Sequence, residues 1–497
     1  MFQKSLILFF LTVTIVARGA EAPSRGRVLD LTLGKAIRMA LAKNFSIAAE
    51  KFEPQVARER ERSAEGRFDP AFSLSYRRGE DVVSDQFVRS AAGNTHFGVK
   101  AIDQTATWST GVTGVTLWGL GYDVELSTRS RSGTANHFAE DFTSEMSFSL
   151  RQPLLRGAGT AANLAGVRVA RNNVTISEWA VKQQVMTVIT QVIEVYNELQ
   201  FAHENLEVAR RSRQLAKQLL RDNIKRVEIG VKTPLDVTTA QAEVAAREEA
   251  VITAGRAVKD QENFLKQLIT ADLIPLLGTS VQIAPPPSPA FESNVVAGLT
   301  DALQLRPDYR QAKLDIQNKH ITLAFAKNDR LPRLDLVASL NLLGFDDDFG
   351  SSAQRTLARD QSAWSAGATF SIPIGNREGV GRYNAAKLES AQSLVKLQQL
   401  EQEIIVRVDN ANGAVVTARE RVEATMEARR LAKESLAAGE ARLIAGTGTT
   451  FEVLELQKKL TEAETAELRA QADYNKAVGR YRFQTGTTLR VHGVKVE

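Results

Sequence analysis

Hydrophobic and polar positions along this chain follow two different periods, which alternate in a fixed order. From about Ala161 to Ile229 there is no proline, and Val181, Val185, Val188, Val192, Val195 and Leu199 recur at spacings of four and three. A matching stretch from about Arg382 to Ala445 carries Leu397, Leu400, Ile404, Val408, Ala411 and Val415. This spacing places one apolar stripe against a partner helix, as in coiled-coil packing. About 65 residues rising 1.5 Å each make a rod of roughly 100 Å, long enough to bridge a periplasm. No compact enzyme domain needs such a length.

Ahead of each rod the period falls to two. Phe72, Leu74 and Tyr76 follow Pro70, and Met146, Phe148 and Leu150 precede Pro153. In the second half Leu334, Leu336, Ala338 and Leu340 follow Pro332, and Ala368, Phe370 and Ile372 precede Pro373. Ser147-Phe148-Ser149-Leu150 and Thr369-Phe370-Ser371-Ile372 are close to a literal repeat. One face apolar and the other small or polar fits strands that face lipid. A soluble antiparallel sheet fits equally well, and it is the long helices around them that favour the membrane. Three of the four tryptophans (Trp108, Trp118, Trp364) lie in these segments, where an interfacial aromatic girdle would sit. Two strands per half predict four per chain, and a four-stranded sheet in lipid must be closed by other chains. Residues 77–145 form an insert with a further alternating run, Val112 to Leu126. It supplies either a surface hairpin or additional barrel strands.

Each half opens with amphipathic helix: Leu33 to about Ser63, broken or kinked near Pro54, and Val295 to about Lys327. Each rod ends in a reversal, Gly230-Val231-Lys232-Thr233-Pro234-Leu235-Asp236-Val237 and Gly446-Thr447-Gly448-Thr449-Thr450-Phe451-Glu452-Val453. Gly230 and Gly446 stop a helix by accepting a left-handed conformation. Thr233 then caps a new helix with Pro234 at its first position, and Thr449 with Glu452 has capping-box spacing. Return helices are predicted over about Leu235–Thr270 and Phe451–Arg482. The same element order on both sides of the proline-rich stretch 284–293 indicates internal duplication. The expected division is a signal peptide over 1–22, a first repeat over 23–283, the linker, and a second repeat over 294–497.

Composition sharpens this picture. Lys4, the apolar stretch Ser5 to Ala17 and Ala20-Glu21-Ala22 read as an export signal with its cleavage site. The apolar part is too short to span a bilayer, and no second apolar run of about eighteen residues follows. A closed β-barrel is the remaining way to cross a membrane. Without the signal the chain has 61 basic against 57 acidic residues, mixed along its length. That balance argues against a nucleic-acid partner. There is no cysteine, which excludes disulfides, thiolate metal sites and a lipidated cysteine. The five histidines lack metal-ligand spacing, and no nucleophile elbow or phosphate loop is present. Arg156-Gly157-Ala158-Gly159 reads as a strand-to-helix turn. Catalysis, a metal and a cofactor are not expected.

The repeated tip motif Gly-x-x-x-x-Leu/Phe-Asp/Glu-Val, followed in the first half by Thr239-Ala240-Gln241-Ala242-Glu243, resembles the TolC family of outer-membrane efflux proteins. The likeness runs over nearly the whole mature chain. It implies a mainly α fold with membrane β structure: a homotrimeric α-barrel of coiled-coil helices in the periplasm, capped by an about 12-stranded transmembrane barrel. It also implies a passive exit duct in outer-membrane lipid, served by a periplasmic adaptor and an inner-membrane pump in efflux or type I secretion. The resemblance places Glu452 and Glu455 at the periplasmic entrance, on one helix face, and gives Asp236 a gate role with Arg226 and Arg442 as candidate partners. Glu452 also suits a capping box, and Asp236 suits the positive start of a helix. The family's gate-locking arginine and tyrosine positions fall on Gly448 and Leu443, a departure from its pattern. Gly230, Thr233, Pro234, Leu235, Gly446, Thr449 and Phe451 form the expected adaptor-docking tips. The competing reading is a soluble periplasmic coiled-coil adaptor or tether.

Overall fold

The computed structural model describes residues 28–87, 98–134, 137–230, 233–285, 289, 291–359 and 361–496. The expected signal peptide lies outside the described residues. So do Val231 and Lys232 of the first tip and Pro286, Pro287, Ser288 and Ala290 of the linker. In chain order the elements are β1 (Val28–Leu31), α1 (Leu33–Lys43), α2 (Phe45–Glu50), α3 (Glu53–Glu65), β2 (Ala71–Phe87), β3 (Gly98–Val115), β4 (Gly121–Gly133), β5 (Asp141–Pro153), α4 (Gly159–Asn163), α5 (Ala165–Glu228) and α6 (Pro234–Ile269). There follow β6 (Ser280–Ile283), α7 (Val295–Leu305), α8 (Pro307–Asp329), β7 (Arg333–Asp346), α9 (Phe349–Ala358), β8 (Gln361–Ser371), α10 (Arg377–Ile444), α11 (Thr450–Gln484) and α12 (Thr488–Val491). They form two compact units, each drawing on both halves of the sequence. A helical unit takes the described parts of 1–49, 184–305 and 404–497, and a sheet unit takes those of 50–183 and 306–403.

The predicted rods and return helices appear within a few residues of their expected ends, the rods α5 and α10 running from the sheet unit into the helical unit. The stripe Val185, Val188, Val192 and Leu199 is buried, as are Ile404, Val408 and Val415 on α10. Antiparallel packing of α5 on α11 is marked by a ladder of polar pairs. Glu194 accepts from Arg480 at 2.5 Å, Asn475 donates to Asn197 at 3.0 Å, and Thr465 donates to Asn205 at 3.2 Å. Thr461 donates to Ser212 at 3.2 Å, and Glu198 pairs with Arg469 at 2.9 Å and with Lys476. Beside Arg469 and Lys476, Asp473 also meets Arg421 of α10 at 3.4 Å. Burial alone would raise the Asp473 carboxyl. The hydrogen bond from Lys476 and the charges of Lys476, Arg469 and Arg421 outweigh that and hold it below the usual aspartate range.

The amphipathic helices are more broken than expected. The first is three pieces: the expected break comes at Pro54, in the first turn of α3, and a further one at Asn44. The second stops at Arg306, which is extended (φ −65°, ψ 124°) because Pro307 disfavours helical backbone in the residue before it.

The sheet unit carries a six-stranded antiparallel meander, β2-β3-β4-β5-β7-β8, where the outer strand pairs predict four strands. Both extra strands come from the insert. The run Val112 to Leu126 is not one strand but the foot of a hairpin, turned by Thr116–Leu120. There the Thr116 N–H donates to the Leu120 carbonyl at 2.8 Å and Gly119 takes φ +97°. Cross-strand register places Phe72, Val112, Val124, Phe148, Leu340 and Trp364 in one row across all six strands. One residue along, on the opposite face, the row reads Ser73, Gly111, Glu125, Ser147, Asn341 and Ala363. Phe72, Trp364 and Phe370 are more than 60% exposed on the apolar face. A contiguous apolar belt of this extent marks a surface that meets lipid or another chain. Helix α9, absent from the sequence reading, packs on this face at the end of β5 and β7. Its Ser352 hydroxyl lies 2.6 Å from that of Ser144, and a Cβ on Gly344 would come within 2.6 Å of the Thr356 nitrogen. Among the described residues no helix is long and apolar enough to cross a membrane.

Because Asp473 has a depressed carboxyl pKa in the fold, its contribution to stability is fully present above the ordinary aspartate value of 3.8 and fades as pH falls through the lower folded value. Asp473→Asn is therefore expected to lower the thermal midpoint of the helical unit at neutral pH. In a pH series of thermal unfolding, the gap from the parent chain should stay constant above about pH 5 and close below the ordinary carboxyl range.

Candidate functional site

The two tips where the rods reverse gather most of the sequence-predicted functional residues. At the first, Gly230 takes φ +76° after the last turn of α5, and Thr233 is extended (φ −95°, ψ 157°) ahead of Pro234 at the start of α6. The Asp236 carboxylate reaches back and accepts from the Thr233 N–H at 3.1 Å and its hydroxyl at 2.9 Å. Asp236 thus closes its own turn, as a first-turn acid at a positive helix end does. Arg226 forms no ion pair with a described residue.

The second tip is built differently. Gly446 takes φ +79°, and the N–H groups of Thr447 and Gly448 both donate to the Arg442 carbonyl at 3.0 Å, capping the end of α10. Thr449 caps α11 by accepting from the Glu452 N–H at 3.2 Å. Only that half of the predicted capping box forms. The Glu452 carboxylate turns instead to Arg442, whose Nη1 lies 2.6 Å from Oε1. The two side chains are 58% and 35% exposed, so the pair contributes no more than about 1 kcal/mol. Its consequence is electrostatic: Glu452 carries its own counter-charge within the hairpin. Glu455, one turn on and half-buried, has no ion-pair partner among the described residues. Gly448, at the family's arginine position, leaves no room for a side chain, since a Cβ there would lie 2.9 Å from the Leu443 nitrogen. Leu443 itself is buried with Leu219, Leu436, Val453 and Leu454 in a core that ties α5, α10 and α11 together behind the tips.

Two residues missed in the sequence connect the tips. Asn223, 1% exposed, donates to the Asp236 carbonyl and accepts from the hydroxyl of buried Thr450, both at 3.5 Å. The signal was present: Ser212, Ala216, Leu219 and Asn223 continue the 4-3-4 spacing of α5, and an asparagine in such a stripe specifies register at a cost in stability. Around this polar link the tips expose large apolar side chains. Ile229, Leu235, Ile444 and Phe451 are each more than 70% exposed. Among the described residues no cluster of acidic and histidine side chains could hold a metal ion.

The family model of outer membrane efflux proteins matches residues 119–271 and 298–487. The chain is similar to nodulation protein T of Rhizobium leguminosarum bv. trifolii, 24% identical over 190 residues, covering 38% of this chain and only 39% of that relative. It is similar to outer membrane protein TolC of Vibrio cholerae serotype O1, 23% identical over 318 residues, covering 63% of this chain and 70% of that one. Among solved structures, the Campylobacter jejuni CmeC outer membrane channel superposes with a TM-score of 0.67 at 16% identity, covering 92% of this chain and 86% of that one. The outer membrane protein VceC of Vibrio cholerae does so with a TM-score of 0.65 at 16% identity, covering 91% and 96%. These structural likenesses establish the fold, and the family model establishes kinship: the chain belongs to the outer membrane efflux proteins, a family of channels, and resides in the outer membrane.

Proposed function

We propose that three copies of this chain form a passive exit duct, through which a periplasmic adaptor and an inner-membrane pump pass substrates outward in tripartite efflux or type I secretion. The observation that carries this reading is the six-strand sheet, apolar on one face and polar on the other, with its two outer strands each bonded on one side only. Such edges cannot stand in lipid, so the sheet functions only when other copies complete it. That the family model matches two successive stretches supports a duplicated chain of two repeats joined by the 284–293 linker. Purified in mild detergent and weighed by native mass spectrometry, the outer-membrane species is expected at three times the mature chain mass. A detergent-free monomer in the periplasmic fraction would overturn the duct.

In this reading the tips form the periplasmic entrance. Glu455 supplies the uncompensated charge there, and Glu452 contributes as a pair with Arg442. Rings of like charge at a constriction select ions by sign. Single-channel recordings should therefore show cation preference falling for Glu455→Gln, and rising for Arg442→Gln, which bares Glu452. Glu452→Gln added to Arg442→Gln should cancel the rise. Thermal stability should change little in all three variants, as expected of an exposed pair.

The exposed apolar side chains of the tips are the surface on which an adaptor seats. Gly230, Thr233, Pro234, Gly446 and Thr449 hold that shape, and Leu235 and Phe451 are its equivalent knobs, five residues after each glycine. Leu235→Ser with Phe451→Ser is expected to abolish co-purification with the adaptor while leaving the trimer intact by native mass spectrometry.

A further inference from the structure

We infer that the insert strands β3 and β4 span the membrane with the other four, so that three copies close an eighteen-stranded barrel instead of a twelve-stranded one. This rests on the trimeric duct proposed above. Three observations carry it. The first is pairing. β2 bonds to β3 alone and β5 bonds to β4 and β7, so without the hairpin β2 has no partner in its own chain. The β3–β4 register runs without a shift from Asp103 opposite Gly133 to Val115 opposite Gly121.

The second is chemistry. β3 places Trp108 beside Tyr76 (ring centroids 4.3 Å apart) and Val112 beside Phe72, and β4 places Val124 beside Phe148 and Leu126 beside Met146. The apolar row therefore crosses the hairpin at the level of the other strands. The opposite face of the hairpin carries Ser109, Gly111 and Thr113 on β3 and Asp123, Glu125 and Ser127 on β4, the polar lining of a water-filled lumen.

The third is position. The turn joining β3 to β4 sits at the foot of the sheet, where β2 begins and β5 ends. The Gly159 N–H donates to the Trp118 carbonyl at 3.0 Å, and a Cβ on Gly119 would come within 2.6 Å of the Gly157 carbonyl. A surface hairpin would turn at the opposite end. Six antiparallel strands also leave β2 and β8 running in opposite directions, so one copy's β8 can continue the antiparallel ladder onto the next copy's β2. The occupant of each edge is thus a second copy of this chain.

Barrel diameter grows roughly in proportion to strand number, so eighteen strands give a lumen about 1.5 times as wide as twelve, in the class that leaves an open aqueous channel. Cryo-electron microscopy of the full chain in lipid nanodiscs counts the strands directly, and three copies with eighteen strands are expected. A second measurement does not depend on image resolution. In a chain whose Trp118, Trp179 and Trp364 are replaced by phenylalanine, Trp108 of β3 should be strongly quenched by brominated phosphatidylcholine. A trimer with twelve membrane strands, or an unquenched Trp108 in a folded trimer, overturns the eighteen-stranded barrel and leaves the duct standing. A particle that is not trimeric overturns both.

Discussion

Every backbone N–H and C=O placed in hydrocarbon must find a partner within protein, because lipid offers none and each orphan costs several kcal/mol. Much of this molecule follows from that constraint. It explains why the membrane part is a long, regular sheet in which each inner strand is bonded on both sides. It explains why proline stands at or beyond strand ends, at Pro70, Pro153, Pro332 and Pro373, since inside a ladder it would remove a donor. The outer edges of β2 and β8 are the only long open ladders of the described sheet, and in the duct proposed above other copies satisfy them.

The helical unit meets a different constraint. Its neighbours are water and other helices, so burial can rest on side chains, and the stripe from Val185 to Leu199 supplies it. Apolar stripes alone leave register loosely fixed, because sliding one helix by a turn exchanges one aliphatic contact for another. The polar pairs from Glu194–Arg480 to Asn223–Thr450 remove that freedom. A one-turn slip would strand several partly buried charges and amides, and an unpaired buried group costs more than a matched pair gains. The ladder thus sets where the tips end relative to each other.

The division between what was and was not legible in the sequence follows the same lines. Rod and return-helix boundaries were readable within a few residues because glycine, proline and threonine mark them locally at Gly230, Thr233, Pro234, Gly446 and Thr449. Two-period alternation identified both outer strand pairs. The four strands of the outer pairs were legible, while the insert was left open between a surface hairpin and further strands, because pattern alone does not say where the run from Val112 to Leu126 folds back. The break before Pro307 was legible and overlooked. Helix α9 carries few aliphatic residues, and only its docking against Ser144 and Gly344 accounts for it. At the tips, the candidate residues lie in or beside the two turns. Their hydrogen-bond and ion-pair partners were not legible, since whether an exposed carboxylate caps its own helix or meets an arginine ten residues back depends on how two chain segments cross.

That last distinction bears on how the proposed entrance would be held. A side chain at position 448 would strike the backbone of the turn, so the second tip is tight and internally satisfied, with Arg442 committed to Glu452 and Leu443 to the core. The first tip is internally satisfied as well, through Asp236 and Thr233. Among the described residues, Arg442 pairs with Glu452 within its own hairpin, whereas Arg226 and Glu455 have no ion-pair partner. What joins the two tips within one chain is a buried amide and a packed cluster of leucines and Val453. In the duct proposed above, such an entrance would widen by whole hairpin pairs shifting against their neighbours, with the apolar residues at the tips as the handle by which a docked partner would pull them.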